Sequence, residues 1–111
     1  MQDLDFDLYQ YRLLRKVVEE NPLTIDQLSY YVNGVRSILH AIKKIDHDWL
    51  MAIDASWWDL EIVFSLALDE NRMEFNENEK AIIEHAHKNI KFLVKRKLLE
   101  VENDSSRISP L

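Results

Sequence analysis

Residues 76–101 read NENEKAIIEHAHKNIKFLVKRKLLEV, and the spacing of their apolar side chains decides the fold class. Ile82, Ile83, Ala86, Ile90, Leu93, Val94 and Leu98 recur at steps of one, three and four, the period of one helix face. The pattern predicts a helix that starts at Asn76 or Asn78 and ends near Val101. Glu84 stands four residues before Lys88, the favourable order for an ion pair on a helix surface.

Upstream, residues 69–78 form the one sizeable connection. Met73 and Phe75 alternate with polar residues there and are expected to fold back as anchors. Before it, Ser56-Trp57-Trp58-Asp59 reads as a helix cap. The helix behind it, running to Leu68, carries Leu60, Val63, Phe64, Ala67 and Leu68 and is expected to be the most buried. Asp46-His47-Asp48 opens a short helical turn around Trp49, Leu50 and Ile53. Residues 35–45 carry the stripe Val35, Ile38, Leu39, Ile42 and Ile45.

Asn33-Gly34 reads as the stop of a shorter helix with Ile25, Leu28 and Val32 inward, because both residues tolerate the left-handed conformation. That helix is entered through Thr24-Ile25-Asp26-Gln27, a capping box. The first helix covers residues 3–20, with Leu4, Leu8, Tyr11, Leu14 and Val18 on one face. Asp3, Asp5 and Asp7 lie near the positive end of its dipole, and Asn21-Pro22 ends it. The expected fold is all-α, a compact bundle of five to six helices, with one domain over residues 1–102 and a polar tail over 103–111.

Composition narrows the function. The 111 residues include one glycine and no cysteine. A single glycine cannot make a phosphate-cradling loop or a dinucleotide fingerprint. Without cysteine there is no disulfide, thiolate nucleophile or cysteine-ligated zinc. The opening MQDLDFDLYQ has aspartates where a secretion signal needs positive charge. The longest apolar stretch, residues 62–68, is far short of the roughly 20 residues that span a bilayer. The expectation is a soluble, cytoplasmic chain that binds no membrane.

No catalytic, cofactor or metal site emerges. His85 and His87 lie about 200° apart on a helix, so one ion cannot take both. Ser56, His85 and Asp59 lack the glycine-dependent elbow of a hydrolytic serine. The chain is read as a non-enzyme.

Charge is the informative feature. Residues 46–79 hold ten acids against the single base Arg72, a net −9, whereas residues 80–101 hold six bases against two acids, a net +4. All three tryptophans, Trp49, Trp57 and Trp58, fall in the acidic segment. Aromatic anchors among carboxylates suit a surface that captures a basic protein, with the charges setting the on-rate. The expected partner-binding residues are Asp46, Asp48, Trp49, Trp57, Asp59, Glu61, Asp69, Glu70 and Glu74. The acids would repel nucleic acid. The basic run Lys88, Lys91 and Lys95-Arg96-Lys97 is read as dipole complementation near a helix end.

Two resemblances follow. Residues 22–45, PLTIDQLSYYVNGVRSILHAIKKI, resemble the helix–turn–helix half of winged-helix DNA-binding domains, with the turn at Asn33-Gly34. That likeness implies a transcriptional regulator whose recognition helix, residues 35–45, carries Arg36, Ser37, His40 and Lys44. In overall profile the small, acidic, cysteine-free, all-helical chain resembles bacterial immunity proteins, including those of contact-dependent growth inhibition systems. This implies tight binding to a cognate basic toxin, often a nuclease, and is the leading reading. Homo-oligomerisation through the amphipathic helices stays open.

Overall fold

The structure, a computed structural model, describes residues 3–108, with side chains from residue 5 to residue 104. Its helices are α1 (Asp3–Glu19), α2 (Ile25–Ala41), α3 (His47–Asp69) and α4 (Glu77–Ile108). The all-helical class stands as expected, but the described residues form four helices rather than five to six. Two expected breaks are absent, each for a physical reason.

Gly34 lies inside α2. A Cβ at this position would stand 3.3 Å from Val17 Cγ1. The glycine therefore marks a close approach of α1 and α2, and its φ is not positive. A glycine inside a helix costs about 1 kcal/mol against alanine, so its presence reflects packing rather than a turn. The turn on which the helix–turn–helix resemblance rests is not formed. Ser56 is likewise inside α3, buried, and its Oγ accepts from the Asn89 side chain of α4 at 3.4 Å. The cap of α3 is Asp46, whose carboxylate accepts from the backbone N–H groups of Asp48 and Trp49.

Other helix ends follow the sequence. Thr24 and Gln27 form the expected capping box, each side chain accepting the other's backbone N–H, at 3.1 and 3.2 Å. Asn76 and Glu79 repeat that exchange at the start of α4, at 2.8 and 2.9 Å. At the exit of α3, Asn71 takes a left-handed φ of 52°. There the Arg72 N–H reaches the Ala67 carbonyl and the Asn71 N–H reaches that of Leu68, a Schellman closure. Phe75 is buried and anchors the connection, whereas Met73 is 89% exposed and does not. Residues 103–108 continue α4 instead of fraying. Residues 109–111 of the expected tail, and the side chain of Leu4, lie outside the described residues.

Short connections make successive helices antiparallel neighbours. α1 packs on α2 and α4, and α3 packs on α2 and α4; the diagonal pairs do not approach along their backbones. The core is a square of helices, and aromatic pairs bridge both diagonals. Tyr11 of α1 meets Trp49 of α3 edge to face at 5.5 Å between centroids. Tyr31 of α2 meets His87 of α4, with the hydroxyl 2.9 Å from Nδ1. The whole measures 56 × 22 × 21 Å, drawn out along the 32-residue α4.

The end of α2 is tied to the start of α1 by Asp7. Its buried carboxylate accepts from the backbone N–H groups of Lys43 at 2.8 Å and Lys44 at 2.9 Å. Both oxygens are thus satisfied by donors that would otherwise be stranded at the α2–α3 connection. Asp7→Ala leaves those donors unpaired and is expected to cost about 1–3 kcal/mol, measurable as a lowered midpoint in urea with an unchanged slope.

Candidate partner-binding surface

α3 is apolar nearly all round. Trp49, Ile53, Trp57, Leu60, Val63 and Ala67 enter the core. A second line runs along the opposite side: Met51, Ala55, Trp58, Ile62 and Leu66, at steps of four, three, four and four. Met51 is 70% exposed, Trp58 53%, Ile62 55% and Leu66 49%. A helix with two apolar faces normally has both covered, and here one is open to solvent. An exposed apolar line of that continuity makes this face the candidate surface.

The tryptophans divide differently from the sequence expectation. Trp49 and Trp57 are buried core residues. The Trp49 indole N–H donates to the Leu93 carbonyl of α4 at 3.0 Å, and that of Trp57 to the Val32 carbonyl of α2 at 2.9 Å. Neither presents its indole at the surface, so both are corrected from partner anchors to helix ties. Trp58, absent from the expected set, is the exposed one, its ring edge-on to Trp57 at 5.1 Å. Reading α3 as a single helix would have shown this, because Trp49, Ile53, Trp57 and Leu60 share a face that excludes Trp58.

The acids also separate. Asp46 serves as a cap and pairs with Lys97 at 3.3 Å. Hydrogen bonding from the Trp49 backbone, then from Lys97, lowers its pKa. Glu61 is half-buried and accepts from Ser65. Glu70 pairs with Arg72 at 2.8 Å in the α3–α4 connection, where Glu74 is exposed. Asp48, Asp59 and Asp69 are exposed along α3 and form no ion pair among the described residues. At 100° per residue, these three and the outward apolar line fall within about 100° of arc. The structure thus unites Asp48, Asp59 and Asp69 with Trp58, and sets Trp49, Trp57, Asp46, Glu70 and Glu74 apart from them.

Two polar pairs brace the bundle. Arg72 forks both oxygens of the buried Glu79, with Nη2 2.7 Å from Oε2. The hydrogen bonds from Arg72, then from the Asn76 backbone, hold the Glu79 carboxyl down at about 2. Glu79 raises the pKa of the guanidinium in return. His87 is buried, and desolvation, helped by the charge on Lys91, lowers its pKa. Burial raises that of its partner Tyr31, so the pair is neutral at pH 7. Among the described residues no group of His, Cys, Asp and Glu is placed to hold a metal ion, and no helix is long and apolar enough to cross a membrane. Comparison with protein-family models, curated proteins and solved structures finds no match.

Both pairs impose a pH dependence of known sign. Glu79 is depressed on folding, so its stabilisation is complete above its ordinary 4.5 and is lost as pH falls towards about 2. Glu79→Gln is expected to be less stable at neutral pH and to lose less between those limits in denaturant titrations. For His87 the folded pKa also lies below the unfolded one. Stability is flat above about pH 6.5 and falls below it as the unfolded chain takes up the proton. His87→Gln, which keeps a polar partner for Tyr31, is expected to flatten the profile between about pH 7 and 5.

Proposed function

We propose that this chain is a non-enzymatic binding protein that captures a basic protein partner on the outward face of α3. The carrying observation is the pairing of an open apolar line with one-sided charge. From residue 46 to residue 70 the chain has seven acids and no lysine or arginine. Apolar area supplies affinity, and unpaired carboxylates steer a cationic partner and reject an acidic one. A second copy docking α3 against α3 would set these acids against each other.

The immunity-protein reading fits this surface, with a cognate toxin, such as a basic nuclease, as the partner class. Trp58 is the hot-spot residue, since tryptophan dominates interface energetics. Asp48, Asp59 and Asp69 are its charged rim.

The test is capture from the native cells on immobilised protein, eluted in rising salt and read by mass spectrometry. It is run in parallel with the double variant Trp58→Ala, Asp59→Lys. Both positions are exposed, so the bundle should fold unchanged. Wild type is expected to retain one basic protein past moderate salt, and the variant to lose at least tenfold in affinity for it, about 1.4 kcal/mol or more. Equal retention by both proteins overturns the assignment of this face. Nucleic acid alone in the low-salt fractions overturns the reading in favour of DNA binding.

A further inference from the structure

Between the C-terminal half of α2 and the N-terminal half of α3 lies a cleft of about 340 Å³. Leu39, Ile42, Leu50, Trp57 and Trp58 are among its apolar lining residues. Arg36, His40 and Asp54 supply its charged and titratable groups. The volume lies within the range of small-molecule sites, which combine apolar walls with a few placed polar groups.

Arg36 and Asp54 make the cleft unusual. The Arg36 guanidinium lies 5.0 Å from the centroid of the Trp57 ring. A guanidinium stacked on an indole is held in its plane while its N–H edge stays free to fork a carboxylate. Among the described residues Arg36 forms no hydrogen bond or ion pair with an acid, and Asp54 forms none with a base. Two opposite charges therefore line one apolar cleft without meeting. A simple anion would satisfy Arg36 and be repelled by Asp54, and a simple cation would meet the reverse. A molecule carrying both charges on an apolar body satisfies the two ends together.

We infer that this cleft binds a small apolar zwitterion of the α-amino acid class. The carboxylate lies on the Arg36 fork, the ammonium against Asp54, and the side chain on Leu39, Ile42 and Leu50. His40 also lines the cleft and offers a ring nitrogen. This site shares Trp58 with the protein-docking face but does not rest on that reading.

The probes are L-leucine and L-phenylalanine, each titrated into the full chain. The readouts are tryptophan fluorescence and the indole N–H signals of Trp57 and Trp58, two residues that line the cleft. Saturable binding is expected with a dissociation constant on the order of 1 mM. N-acetyl-leucine, which lacks the cation, and leucinamide, which lacks the carboxylate, are expected to bind at least tenfold more weakly. Asp54→Asn should bring leucine down to the level of N-acetyl-leucine, and Arg36→Gln to that of leucinamide. Should either variant misfold, the analogue series on the wild type decides alone. No saturable change at the Trp57 indole up to about 20 mM of either amino acid overturns the site. Equal binding of leucine and both analogues overturns the zwitterion.

Discussion

α3 is held about its own axis by two indole hydrogen bonds, and the rest of the molecular surface depends on them. Hydrophobic burial is non-directional. The cost of burying Asp48, Asp59 and Asp69 keeps their side of α3 outward, but neither charge nor apolar burial sets the fine rotation of the helix. The Trp49 N–H reaching the Leu93 carbonyl on α4 and the Trp57 N–H reaching the Val32 carbonyl on α2 set it. An indole N–H is donor-only, and leaving one buried without a partner is costly. Any large rotation of α3 breaks both bonds. With α3 so fixed, Trp58 and its line face solvent, and Arg36 finds the Trp57 ring beneath it.

The parts of the fold that were legible in the sequence are those set by local chemistry. Thr24 and Gln27 cap the helix they were expected to cap, Pro22 follows the end of α1, Asn76 opens α4, and Glu84 pairs with Lys88 at 3.1 Å. The inward stripe of α4 was legible because its apolar residues are separated by charged ones, although Ile82 stays 43% exposed. Structure and sequence pattern diverge where a residue has a local and a tertiary meaning together. Gly34 reads locally as a stop and serves as a notch for Val17. Ser56 reads as a cap and serves as a tie to Asn89. Leu68, expected in the core, is 52% exposed although it lies on the inward side, because it stands in the last turn of α3, one residue from the helix end.

The clustering of acids and tryptophans was legible in the sequence, but their division between core and surface was not, for the same reason. Net charge over residues 46–79 groups carboxylates that do unrelated work. Asp46 and Glu79 are spent on caps and ion pairs inside the fold, and Glu70 is tied to Arg72. Three exposed aspartates on α3 remain with no ion pair among the described residues. Splitting α3 at Ser56 also hid the register that sends Trp57 inward and Trp58 outward.

The drawn-out shape has a hydrodynamic consequence. The radius of gyration is 15.5 Å, against about 13 Å for a typical compact domain of this length. A single protomer therefore sweeps a larger volume as it tumbles than its mass implies. On a sizing column calibrated with spherical standards it travels with heavier proteins, and its elution position alone would overstate the mass. Light scattering or sedimentation, which weigh the particle rather than its envelope, are the appropriate measures of its assembly state.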